Sequence, residues 1–248
     1  MTKHSAERKE KKTGVMFAMT SIQLMIGSAL TGKGGMTMSK PFFSVIVPAH
    51  NAADRIRKGL NSIKRQTFTD YELIIICDDC QDDTAKIALG YADCTRVVDW
   101  HSCGKSRNAG LDEARGQWVL FMDDDDWWID ENAFQTIHDA ILREGEDFDV
   151  LAFGFHFGER GDAFQYHGKH YIAIWNKAWK REFLERIGAR FPDVPHSDDV
   201  GFAEYTHPKA RFRYLMAVLY DYNYMRPGSI THKLKTGELK RLEEMGLR

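Results

Sequence analysis

The chain has 248 residues, enough for one good core with a small appendage. Its formal net charge of −2 gives no basis for bulk binding to nucleic acid. The 43% hydrophobic and 28% charged residues are ordinary for a globular protein and exclude a disordered or fibrous class.

The first 40 residues differ from the rest. A basic start (Lys3, Arg8, Lys9, Lys11, Lys12) leads into residues 15–30, which are apolar but interrupted by Thr20, Ser21, Gln23 and Ser28. That stretch imitates a signal peptide and is too short and too polar for a transmembrane helix. Residues 1–40 are expected to be an extension outside the fold, either disordered or reflecting a start assigned too far upstream. A membrane-surface anchor is the lesser alternative.

Residues 42–47 form a short β-branched apolar run ended by Pro48, which reads as a buried strand. Residues 54–66 carry Ile56, Leu60 and Ile63 at helical spacing, with Asp54 or its predecessors as the cap. A second buried strand is expected over 71–76, a helix over 82–91, a strand over 95–98 and a helix over 105–115 closed by Gly116. Residues 118–122 form a strand that runs into four aspartates, and 131–143 another helix. Beyond Asp147 the chain is aromatic and extended over 150–157 and 163–174. A helix follows at 180–187, a loop at 192–199, a helix at 200–209 and a tyrosine-rich strand over 212–226. The alternation of strand and helix predicts an α/β fold with a central, mainly parallel sheet flanked by helices.

The most informative segment is FMDDDDWW. Asp123, Asp124, Asp125 and Asp126 crowd like charges at the end of a strand, which is costly unless something positive is present. A hard divalent cation on carboxylate oxygens is the natural remedy, and Mg2+ or Mn2+ keeps positions open for substrate phosphates. A solvated acidic turn is the plain alternative. Ligands of such sheets bind beyond the carboxyl ends of the strands. Residues 48–51, 77–83 and 123–126 occupy those ends, and all three segments are polar.

Four cysteines occur, and Cys77 with Cys80 forms a C-x-x-C. This raises zinc or redox chemistry. Cys94 and Cys103 are badly spaced for a zinc ribbon, and reduced cysteines are the plainer reading.

FSVIVPAHNAADRIRKGLNSIKRQTFTDYELIIICDD, followed by KSRNAGLDEARGQWVLFMDDDDWW, resembles the family 2 glycosyltransferases of the GT-A fold. A looser likeness runs through IWNKAWKREFLERIGARFPDVPHSDDVGF and YDYNYMRPGSIT, similar to enzymes of capsule and lipopolysaccharide synthesis. The resemblance implies transfer of a sugar from a nucleotide donor to an acceptor hydroxyl with inversion. It implies a domain over 41–231, with a nucleotide-sugar half over 41–128, an acceptor half over 129–231 and a tail over 232–248.

Pro48, His50 and Asn51 fall in the block that edges the nucleoside pocket, with His50 in place of the commoner tyrosine. Asp78 matches the second acid of a D-D-G-S block, expected to meet the base. Cys77 replaces the first acid, Asp79 the glycine and Cys80 the serine, so the turn is expected to be less permissive. Arg107, beside Lys105 and Asn108, matches a block implied to bind the diphosphate, and a helix start there would add backbone donors. Asp123–Asp125 matches the D-x-D element. Asp125 is implied as the direct metal ligand, Asp123 as a ribose contact or a second ligand, and Asp124 as part of the donor site. Asp199 takes the place of the base, with Asp198 beside it; helix capping by Ser197, Asp198 and Asp199 is the structural alternative. Trp175, Asn176 and Lys177 lie in a block resembling an acceptor-side wall, and Tyr220, Tyr222, Tyr224 and Arg226 in a second.

The expected partners are a UDP-sugar or related donor, Mn2+ or Mg2+, and a carbohydrate or lipid-linked glycan acceptor, without nucleic acid. The expected location is cytoplasmic, with peripheral contact at the inner face of a membrane left open as a further option. A degenerate domain that binds nucleotide sugars without turnover, a sugar nucleotidyltransferase and a zinc interaction module compete with this reading. PAHNAADR after the first strand lacks the glycine-rich loop the second would need.

Overall fold

The structure is a computed structural model and describes residues 40–158, 163–164, 172–224 and 226–237. The expected N-terminal extension, apart from Lys40, lies outside the described residues. The described residues form one compact unit.

The elements in chain order are β1 (Phe43–Ala49), α1 (Ile56–Lys64), β2 (Tyr71–Asp78), α2 (Thr84–Leu89), β3 (Cys94–Val98), α3 (Cys103–Glu113) and β4 (Trp118–Phe121). Then come β5 (Trp127–Trp128), α4 (Ala133–Glu144), β6 (Val150–His156), β7 (Ala163–Phe164), β8 (Lys177–Lys180) and α5 (Arg181–Arg186). The chain continues through α6 (Asp198–Thr206), a 3-10 turn at His207–Lys209, β9 (Phe212–Asp221) and α7 (Ile230–Thr236). α7 runs across the boundary expected at residue 231.

Among the described residues the strand order is β3-β2-β1-β4-β8-β6-β9-β5, with β7 on β6. The α/β expectation holds, and the parallel part is the first half: β1 pairs with β2 and β4, and β2 with β3. Antiparallel pairing begins where β8 joins β4, while β6 and β9 are again parallel. β1, β2 and β4 are buried along nearly their whole lengths, as strands covered on both faces must be. Each such Val, Ile, Leu or Phe side chain contributes roughly 1.5–3 kcal/mol by leaving water.

Two short strands escaped the sequence reading. β8 is four residues with a lysine at each end. β5 is the pair Trp127–Trp128, bonded to Tyr220 and Asp221 of β9. Neither is long enough to show a period, so only their partners define them. The expected Asp54 cap is also corrected: the residue before α1 is Arg55, no side chain caps this helix, and Ala52 O accepts from the Arg55 and Ile56 amides. The strand expected over 163–174 survives only as β7 within the described residues.

Parallel pairing brings the ends of β1, β2 and β4 to one rim. β5 then pins the far end of the aspartate run to β9, so residues 123–126 form a tight loop between two strands. α1 approaches this loop closely. A Cβ on Gly59 would lie 2.5 Å from Asp126 O and 2.8 Å from the Met122 methyl, so only glycine allows the approach.

Candidate active site

Three arginines neutralise the aspartate loop. Arg107, from α3, donates from one terminal nitrogen to Asp123 Oδ1 and from the other to Asp198 Oδ2, both at 2.6 Å. Arg55 forks onto Asp124, from Nε to Oδ1 at 3.1 Å and from its second terminal nitrogen to Oδ2 at 3.2 Å. Arg226, beyond β9, donates Nε–H to Asp125 Oδ2 at 2.6 Å. Asp126 is wholly buried and accepts from the Tyr220 hydroxyl at 2.7 Å and the Asn223 amide at 2.8 Å. It supports the loop, and burial followed by repulsion from Asp125 and Asp123 pushes its carboxyl well above the usual range.

The other acids follow the same physics. Burial raises Asp123, against the pull of Arg107 and with repulsion from Asp125. Burial pushes Asp124 up to about 6, opposed by Arg55 and aided by Asp125. Asp199 is raised by burial, lowered by Arg107 and raised again by Asp198.

Arg107 ties the two halves of the sequence together. It is 6% exposed, lies over the Phe191 ring at 5.6 Å, and its Nε has no partner among the described residues. Phe191 stacks on Phe202 of α6 at 4.0 Å. The Asn108 side chain adds a two-way pair with the Phe191 backbone, both bonds at 2.9 Å. α3 starts with Ser102 as its cap, accepting from the Lys105 amide at 3.3 Å.

The capping alternative for the second acid pair does not hold for Asp198, whose carboxylate goes to Arg107. Ser197 precedes α6 with φ 61° and makes no side-chain cap. Asp199 accepts only locally among the hydrogen bonds described, from the Val200 amide at 3.0 Å.

The nucleoside-side residues gather at the ends of β1 and β2. His50 Nδ1 lies 2.7 Å from Asp78 O, and the His50 amide donates to Asp124 Oδ2 at 3.1 Å. Asn51, at φ 44°, accepts from the Gln81 amide at 2.7 Å. Pro48 lies inside β1, paired with Ile76.

Asp78 differs from expectation. Its carboxylate accepts from the Trp100, His101 and Ser102 amides and from the Ser106 hydroxyl, at 2.7 to 3.1 Å. Four donors fill the acceptor sites of a carboxylate. In this structure Asp78 therefore builds the loop before α3 and leaves no lone pair for a base. Cys77 is wholly buried in β2, so its replacement of an acid does not alter the rim. Asp79 holds φ 48°, where the sequence placed a glycine-like turn, and accepts from Gln81 Nε2 at 2.6 Å.

The expected acceptor-side wall is also corrected. Trp175, Asn176 and Lys177 are all nearly or fully buried. Trp175 stacks on Tyr220 at 4.9 Å, and Lys177 Nζ donates to Ala173 O and to Asn176 Oδ1. Packing claims these side chains, so they offer no open surface to a sugar.

Arg55 and Arg226 were not foreseen as partners of the aspartate run. The signal was available: four adjacent acids demand positive charge, and arginine supplies it as readily as a metal does.

A hard cation suits the oxygen donors of Asp125 and Asp123, whose mutual repulsion it would relieve. Among the described residues these two complete no group of three ligand side chains. A cation there would take its further ligands from water or substrate phosphate, the usual habit of Mg2+. One group does meet that criterion: half-buried Asp79 with exposed Asp99 and His101, their ligand atoms within 4.8 Å of one another.

The family model "Glycosyl transferase family 2" matches residues 44–203. EpsH of Bacillus subtilis (strain 168), named as a glycosyltransferase, is 28% identical over 240 residues, covering 85% of this chain and 67% of that protein. The uncharacterized glycosyltransferase YibD of Escherichia coli (strain K12) is 26% identical over 223 residues, covering 78% of this chain and 64% of its own length. S. aureus TarS 1–349 in complex with UDP-GlcNAc superposes with a TM-score of 0.66 at 24% identity, covering 77% of this chain and 60% of that one. The mannosyltransferase PcManGT of Pyrobaculum calidifontis, in complex with GDP-Man and Mn2+, gives 0.57 at 19% identity, covering 80% and 61%. The solved structures share the GT-A fold with this chain, and the family model spans both acid pairs that Arg107 joins, so the chain belongs to glycosyl transferase family 2.

Proposed function

We propose that this chain is an inverting glycosyltransferase that moves a sugar from a nucleoside-diphosphate donor to an acceptor hydroxyl. The observation that carries the reading is the Arg107 bridge between Asp123 and Asp198. It joins the D-x-D element to the acid pair that contains Asp199. UDP-sugar is the favoured donor, by analogy with the UDP-GlcNAc complex of TarS. The nucleotide half spans 41–128 and the acceptor half 129–231. Surface-glycan synthesis on a carbohydrate or lipid-linked acceptor, at the cytoplasmic face of a membrane, fits the resemblance. No helix among the described residues is long and apolar enough to cross a membrane.

Asp199 takes the proton of the acceptor hydroxyl while that oxygen bonds to the anomeric carbon. The bond from that carbon to the diphosphate breaks, and the nucleoside diphosphate leaves with the electron pair. A positioned carboxylate contributes roughly 10²–10⁴ in rate, and a raised carboxyl is the better base. Asp125, with Asp123, would hold Mn2+ or Mg2+, which neutralises charge on the leaving diphosphate when bound. Arg226 and Arg107 stand beside these acids as further cationic donors. His50 and Asn51 edge the nucleoside.

The test is thermal shift and donor hydrolysis across a panel of nucleotide sugars, with and without Mn2+. Metal-dependent stabilisation by one nucleotide class, with slow release of its diphosphate, is expected. Asp199→Asn should keep donor binding and lose turnover. Normal turnover by that variant would sink the base assignment. A folded protein silent to the whole panel would sink the donor reading.

A further inference from the structure

Arg55 is the residue just before α1, yet its side chain does not cap that helix. It turns back over the end of β1, where each of its N–H groups meets an acceptor. Nε–H donates to Asp124 Oδ1 at 3.1 Å. One terminal nitrogen donates to Asp124 Oδ2 at 3.2 Å and to His50 O at 3.1 Å. The other donates to Asn51 O at 2.8 Å and to Asp54 Oδ1 at 3.1 Å. These contacts use the full donor set of a guanidinium. The His50 amide closes the circuit by donating to Asp124 Oδ2 at 3.1 Å. Asp124 therefore holds His50 by its N–H, and Arg55 holds it by its carbonyl.

Neutralising Asp124 needs only the fork onto its carboxylate. The bonds to His50 O and Asn51 O do something else: they fix the backbone of the segment proposed to edge the nucleoside. Asn51 stands at φ 44°, in the left-handed region, where a residue other than glycine needs support from its neighbours. Its side-chain Nδ2 lies 3.1 Å from His50 Nε2, so the backbone that Arg55 grips also places the imidazole. At the other end, Asp124 lies between Asp123 and Asp125, the two acids suited to a hard cation. The Arg55 and Asp124 side chains are 19% and 14% exposed, so water competes weakly for these bonds.

We propose that Arg55 is a positioning residue that links the nucleoside rim at His50 and Asn51 to the acid loop at Asp123–Asp125, so that nucleoside and divalent cation each tighten binding of the other. The ligand half of this inference rests on the donor reading above, but the link between the two segments does not. A ligand seated at either end orders the shared network, and the second ligand then meets a site with less freedom left to lose. Such coupling is reciprocal, with one factor in both directions. It needs the guanidinium shape. Arg55→Lys keeps a positive charge beside Asp124 but has no planar fork to span the carboxylate and both carbonyls.

The probe is uridine, which has no phosphate to reach a metal, so any coupling to Mn2+ runs through the protein. Calorimetry on the full chain, with uridine in the presence and absence of Mn2+ and the reverse, is expected to show the same tightening of about fivefold or more in both directions. Arg55→Gln and Arg55→Lys should bind each ligand alone and lose the tightening, and Arg55→Lys guards against a loss of fold in Arg55→Gln. Without ligands, amide exchange should speed up in both variants at His50 and at Asp126, whose amide bonds to Asp123 O across the acid loop. Independent binding of the two ligands by the unaltered chain overturns the coupling. Tightening retained by Arg55→Lys means that charge alone suffices and overturns the positioning role. Exchange that quickens at His50 alone, or at neither amide, overturns the link. Failure of the unaltered chain to bind uridine or Mn2+ counts against the donor reading alone, because exchange still judges the link.

Discussion

Arg226 Nε lies 2.6 Å from Asp125 Oδ2, so the carboxylate proposed as the metal ligand already carries a counter-charge from the segment after β9. Cation and guanidinium compete for the same oxygen. Arg226→Gln is expected to tighten binding of Mn2+ alone, by roughly tenfold for a gain near 1.4 kcal/mol. The same change should weaken the nucleotide–Mn2+ complex, where Arg226 is left free to meet phosphate. Paramagnetic titration of free Mn2+, with and without nucleotide, separates the two effects. Unaltered Mn2+ affinity in the variant would refute the competition.

Arg107 is buried between two acids, Asp123 and Asp198. Removing one partner of a buried ionic group typically costs about 3–5 kcal/mol, because the remaining charge is uncompensated. Arg107→Met should therefore destabilise the fold by several kcal/mol, measured by urea unfolding. Arg107→Met with Asp123→Asn and Asp198→Asn should recover much of that loss while remaining inactive.

Lys177 gives stability a predictable slope with pH. Burial lowers its pKa from 10.5 to about 7, with Asp199 pulling the other way. The unfolded chain therefore binds the proton more tightly than the folded one between these values. Stability should rise as pH increases from about 7 towards 10.5 and level off beyond, and the cost of burying the charge is full below 7. Lys177→Met should flatten this rise in urea unfolding carried out at several pH values. A slope that persists in the variant would assign it to another group.

Gly59 decides how closely α1 meets the aspartate loop, since an added Cβ would stand 2.5 Å from Asp126 O. Helix propensity alone predicts that Gly59→Ala stabilises by roughly 1 kcal/mol. The close approach predicts the opposite sign, a loss of about 1–3 kcal/mol from overpacking. Thermal unfolding of this one variant decides between them.

The sequence by itself determined the parallel half of the fold and the place of the site. Long buried runs such as VIV and LIII, separated by amphipathic helices, have one cheap arrangement, and that arrangement sends their polar ends to one rim. The acid run at 123–126 was legible there because like charges at a strand end need an answer. Only the tertiary structure decided which answer was given. Arg55, Arg107 and Arg226 come from three separate segments and meet Asp124, Asp123 and Asp125 through strand pairing that no local pattern encodes. β5 and β8 are too short to carry a period, yet they fix the second half of the sheet. Burial likewise turned Asp78 into a loop anchor and Trp175, Asn176 and Lys177 into packing. Residue type states what a side chain is able to do. Its neighbours from distant segments decide which of those capacities is already spent.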